Sequence, residues 1–142
     1  MAATPNRPDE RPADPEDERL ARRHIAAVNT SAEVLTRARL VLQGEGYNVT
    51  TMNYGPRTYQ ALAGLQPALI ILDVRAGERE GWQTLERLQS EGVTRSIPLI
   101  VVSAEPEQLA AAAARYRSDR CVAKPLDWDE LLATIRALIG PP

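Results

Sequence analysis

Two stretches, ALIILD at 68–73 and PLIVVS at 98–103, are apolar almost throughout and end on a polar residue. A strand that is apolar on both faces must be covered on both faces, as a central strand of a helix-flanked parallel sheet is. Three further runs are shorter or more mixed: HIAAVN at 24–29, YNVTTMN at 47–53 and RCVAK at 120–124. Helix-period segments lie between them. Val34, Ala38 and Val41 share a face with Leu35 and Leu42, and Leu131, Ile135 and Leu138 share one with Leu132 and Ile139. Thr30-x-x-Glu33 and Asp127-x-x-Glu130 read as helix starts, with Thr30 the expected N-cap of the first helix. Gly44 and Gly46 close that helix, and Pro106 suits the first turn of the fourth. Five strands alternating with five helices predict an α/β fold with a doubly wound five-stranded parallel sheet. The polar run 47–53 is its expected edge.

The 142 residues suit one domain, and the composition excludes several classes. A net charge near −2 argues against a nucleic-acid-coating protein. Cys121 and His24 are the only residues of their kinds, so no cysteine cluster or histidine pair can hold a metal. No apolar run approaches the roughly 18 residues of a membrane span, and no apolar leader core is seen, so a cytoplasmic protein is expected. Residues 1–21 hold four prolines and six acids and are expected to be a disordered tail ahead of a domain at 22–140.

In such sheets the site lies beyond the carboxyl ends of the strands. Those ends are Asn29-Thr30, Asp73, Ser103 and Lys124-Pro125. Singly, each has a dull explanation as a cap, a turn hydroxyl or a surface amine. Together, a carboxylate, a hydroxyl and an ammonium at successive strand ends make an acyl-phosphate chemistry: the carboxylate attacks phosphorus, and the other two bind phosphoryl oxygens. Sixteen of the 17 basic residues are Arg, and Lys124 is the only Lys.

These residues, in this order, resemble the receiver domain of two-component response regulators over residues 24–139. The resemblance implies a flavodoxin-like (βα)5 fold with strand order 2-1-3-4-5. It implies that Asp73, eight residues before Gly81, is the phosphoacceptor of a histidine kinase or phosphotransfer protein, with Ser103-Ala104 and Lys124-Pro125 as the hydroxyl and lysine positions. Asn29 to Gly46 also matches the family's spacing from its acidic pair to the glycine closing its first helix.

The departures are informative. Where the family carries two acids that hold Mg2+, this chain has Asn29 and Thr30. The metal set reduces to Asp73, Asn29 and the Arg75 backbone carbonyl. A unit-charge contact at about 4 Å is worth about 4 kcal/mol at an effective dielectric of about 20. If about 2 kcal/mol is lost per missing carboxylate, affinity falls roughly a thousandfold, so Mg2+ is expected to bind weakly. The Arg75 guanidinium is expected to face solvent; the alternative is that it turns in and partly replaces the missing cation. Cys121 stands where the family usually has an aromatic that changes rotamer, and the Ser103–Lys124 segment is one residue shorter than common. The fourth helix, Gln108 to Tyr116, carries five consecutive alanines and is expected to be weakly held.

The expected function is therefore a stand-alone, atypical receiver whose output is protein–protein contact, since no effector segment follows Gly140. Self-modification is not turnover, so no enzyme is expected. The alternative on the same fold is an adaptor independent of phosphorylation. A small hydrolase of the haloacid-dehalogenase type needs a second Asp two residues after the first, where Arg75 stands; a flavodoxin-type carrier needs a Gly-rich phosphate loop, which Asn29-Thr30-Ser31-Ala32 lacks. Nucleic acid and membrane are not expected partners. A homodimer is possible through the fourth-helix/fifth-helix face bearing Asp119, Arg120 and Arg136.

Overall fold

The computed structural model describes residues 23–29, 31–115 and 120–142. The expected tail at 1–21, Thr30, Tyr116 and Asp119 fall outside them. The elements are β1 (His24–Val28), α1 (Ala32–Gly44), β2 (Asn48–Met52), α2 (Thr58–Leu65), β3 (Leu69–Asp73), α3 (Arg79–Ser90), β4 (Leu99–Ser103), α4 (Pro106–Arg115), β5 (Arg120–Ala123) and α5 (Trp128–Ile139). All pairings are parallel, and the strand order is 2-1-3-4-5.

Alternation along the strands divides the core into two layers. Ile25, Ala27, Leu69, Ile71, Ile100 and Val102 face one side, where Leu35 and Leu42 of α1 and Leu131 and Ile135 of α5 cover them. Ala26, Val28, Ile70, Leu72, Leu99 and Val101 face the other, against Leu62 of α2, Leu85 and Leu88 of α3 and Ala112 of α4. Every residue of β3 and β4 is buried, whereas β2 is half-buried along its length, the difference between central and edge strands.

The helix ends follow local chemistry, with one correction. The cap of α1 is Ser31, one residue beyond the expected Thr30: the Ser31 hydroxyl accepts from the Val34 amide at 3.3 Å. Asn29 explains the offset, because its Oδ1 accepts from the Ser31 amide at 2.9 Å and turns the chain before the helix begins. Asp127 caps α5 by accepting from the Asp129 and Glu130 amides. α4 starts at Pro106 and buries Ala112 alone. A second correction concerns Arg136. Its guanidinium reaches Glu45 beyond α1 at 2.6 Å, so it lies toward α1 rather than on the α4 side of α5.

Candidate functional site at the carboxyl ends of the strands

β1 and β3 are neighbours, and the alternation that sends Ile25, Ala27, Leu69 and Ile71 to the α1/α5 side continues to Asn29 and Asp73. Asn29 is 5% and Asp73 2% exposed, and both line a cavity of about 20 Å³ together with Val34, Leu126 and Trp128. β4 ends on the fully buried Ser103, whose carbonyl accepts from the Lys124 amide at 2.9 Å. That bond continues the β4–β5 ladder and sets Lys124 just past the sheet.

From there the Lys124 Nζ reaches Asp73 Oδ2 at 3.0 Å. Arg75 Nε lies 3.3 Å from the same oxygen. The expected solvent-facing Arg75 is thus corrected. The buried carboxylate at its side offers an electrostatic partner that water alone does not, and the guanidinium stays partly exposed while making the contact. Asp73 Oδ1 is buried and has no hydrogen-bond partner among the described residues.

Ser103 is brought to the same end of the sheet, with its Oγ accepting from the Glu105 amide at 3.1 Å. A hydroxyl that accepts in this way also has a proton to donate to an incoming oxygen. Asn29 is there too, but its Oδ1 is engaged by Ser31. The Arg75 carbonyl accepts from the Glu78 amide at 3.3 Å. Among the described residues no cluster of three or more His, Cys, Asp or Glu is placed to hold a metal.

Three residues about the site have no counterpart in the sequence reading. Tyr54, past the end of β2, donates its hydroxyl to the Asp73 carbonyl at 2.6 Å. Burial, and after it the Asp73 charge, push its phenol well above the ordinary range. Glu105 Oε2 accepts from the Ala76 amide at 2.8 Å, and Trp82 Nε1 donates to Gln108 Oε1 at 2.9 Å. These two bonds tie the loop after β3 and helix α3 to the loop after β4 and helix α4. Their only signal in sequence is position: each lies within a few residues of a strand end or on the next helix. Gly81 belongs to the same packing, since a Cβ there would sit 3.2 Å from the Asp73 carbonyl and 3.5 Å from the Tyr54 hydroxyl.

The family model described as response regulator receiver domain matches residues 25–136. The chain is 31% identical over 118 residues to the response regulator MprA of Mycobacterium leprae, covering 81% of this chain and 50% of that protein. It is 29% identical over 117 residues to the transcriptional regulatory protein ZraR of Escherichia coli, covering 82% of this chain but 26% of the relative. The chain therefore spans half or less of these curated relatives. Among solved structures it is similar to the receiver domain of the sensor histidine kinase PA1611 from Pseudomonas aeruginosa, described with a magnesium ion coordinated in the active site cleft. That likeness has a TM-score of 0.74 at 21% identity and covers 84% of this chain and 99% of the other.

Proposed function

The chain belongs to the response regulator receiver domain family, and from that premise we propose that it is an atypical receiver of a two-component or phosphorelay pathway with Asp73 as its phosphoacceptor. Receiver domains are signalling modules, and they interact with histidine kinases or phosphotransfer proteins. The observation that carries the reading is the state of Asp73: a buried carboxylate with Oδ2 held by Lys124 at 3.0 Å and Oδ1 unpartnered among the described residues.

In the proposed reaction Asp73 Oδ1 attacks the phosphorus of a phosphohistidine or a small acyl phosphate. The bond from phosphorus to the donor's nitrogen or oxygen breaks and its electron pair leaves with the donor: a histidine donor then takes a proton from solvent, whereas an acyl donor departs as its carboxylate. The Lys124 ammonium and the Ser103 hydroxyl are the groups that support the phosphoryl oxygens.

Mg2+ does not fit the residues present. It prefers several hard oxygen ligands with negative charge among them. Here a single carboxylate already carries two side-chain cations, the Asn29 oxygen is spent on a turn, and the Arg75 carbonyl is shared with Glu78. No step is assigned to the metal.

The output is proposed to be contact with a protein partner through the α4 side. The Ala76–Glu105 and Trp82–Gln108 bonds link the loop beside Asp73 to that side. No helix among the described residues is long and apolar enough to cross a membrane.

Intact mass after incubation with a small phosphodonor tests the proposal. The native chain is expected to gain one phosphoryl group and Asp73→Ala none. The Arg75 contact favours the second reading, an adaptor independent of phosphorylation, because a second cation on Oδ2 draws charge from the carboxylate and weakens it as a nucleophile. A native chain that stays unmodified selects that reading.

A further inference from the structure

We infer that Arg75 is an internal replacement for the divalent cation of receiver sites. Its guanidinium and the Lys124 ammonium together hold one oxygen of Asp73, so that the carboxylate is oriented and its charge countered without a metal. The inference rests on this being a receiver site, and not on whether Asp73 takes a phosphoryl group.

The placement of Arg75 is built into the backbone. The Glu78 amide donates to the Arg75 carbonyl, closing a turn over Arg75, Ala76, Gly77 and Glu78. Gly77, at the third position, has φ +81, which a turn of this kind needs and which glycine adopts without strain. The Ala76 amide is held by Glu105 from the opposite loop. Arg75 is therefore anchored at the start of a tied turn, two residues past Asp73, with its side chain folded back over that carboxylate.

The charges agree with this role. The resemblance implies a site in which three carboxylates face one lysine and a dication balances them. Here two acid positions have become Asn29 and Thr30, and one added cation, Arg75, lies at the remaining carboxylate. A monovalent guanidinium suffices where one carboxylate remains. A dication brought to the same oxygen would meet both Arg75 and Lys124 at close range.

Arg75 is thus a positioning residue, and its competitor is Mg2+ itself. Asn29→Asp supplies a second carboxylate on the strand beside β3, and an Asp oxygen accepts from the Ser31 amide as Asn does, so the turn into α1 survives. Mg2+ is titrated by calorimetry into the full chain, Asn29→Asp, Asn29→Asp/Arg75→Gln and Asn29→Asp/Arg75→Lys, each checked for folding by its amide spectrum. Removing the cation with Gln is expected to tighten Mg2+ binding by at least about tenfold over Asn29→Asp alone, whereas Lys, which keeps the charge, should not. Equal affinities in Asn29→Asp and the Gln variant, or no binding in either, would overturn the inference. So would a Lys variant that binds as tightly as the Gln one. The readout is metal binding alone. An unphosphorylated Asp73 would refute the phosphoacceptor role and leave this result standing, and the reverse also holds.

Discussion

Tyr54 reaches the site through its hydroxyl, which donates to the main-chain carbonyl of Asp73 and fixes the end of β3 from the side. Its pKa is raised chiefly by burial, and the sign of the resulting pH dependence is set. The unfolded chain releases the phenol proton near pH 10.0, while the folded chain retains it. Above that pH the folded state binds more protons, so stability falls as pH rises. One such group contributes at most about 1.4 kcal/mol per pH unit. Urea melts between about pH 9 and pH 11 should show a steeper loss for the native chain than for Tyr54→Phe, which has no proton to lose. Equal slopes would mean that Tyr54 titrates alike in both states. Tyr54 was illegible in the sequence because it carries no charge at neutral pH and lies in a loop. Arg75 was legible as a departure but not in its orientation, which depends on the depth of Asp73, a property of the assembled sheet.

At the scale of elements, α3 and α4 differ in how firmly they are held. α3 buries Gly81, Thr84, Leu85 and Leu88, whereas α4 buries Ala112. Alanines favour helix but bring little apolar area to the sheet. Local opening is cheapest where few apolar contacts are broken. Amide hydrogen exchange should therefore be faster through Leu109–Ala114 than through Thr84–Leu88, and Gln108→Ala, which removes the tie to Trp82, should widen the gap. Uniform protection across both helices would contradict the weak seating of α4. The strands were readable to within about two residues, because continuous apolar runs are a consequence of burial, whereas the second and third helices were expected only as helix-period segments between strands. The cap of α1 was not. Thr30 and Ser31 offer the same hydroxyl, and the choice was made by the Asn29 side chain turning the chain one residue further.

For the whole molecule, the strand order 2-1-3-4-5 brings the ends of β1, β3, β4 and β5 to one edge. Asp73 and Lys124 are far apart in sequence and meet at 3.0 Å only when the sheet has assembled. The order of chemically distinct residues at those ends was legible, since each closes an apolar run. Their separations were not, because twist and ladder register set them. The single lysine allows the convergence of the strand ends on Asp73 to be measured. Lys124 and the chain's terminal amine are the only amines an acylating reagent can find. Lys124 has a side-chain exposure of 18% and is held by a buried carboxylate, so it has to leave that contact to react. Labelling rates measured by mass spectrometry should be slow at Lys124 in the native chain relative to the terminal amine. They should rise at Lys124 in Asp73→Ala, with the terminal amine unchanged. A Lys124 rate that is the same in both proteins would show that the lysine is an ordinary surface amine, and would contradict the convergence.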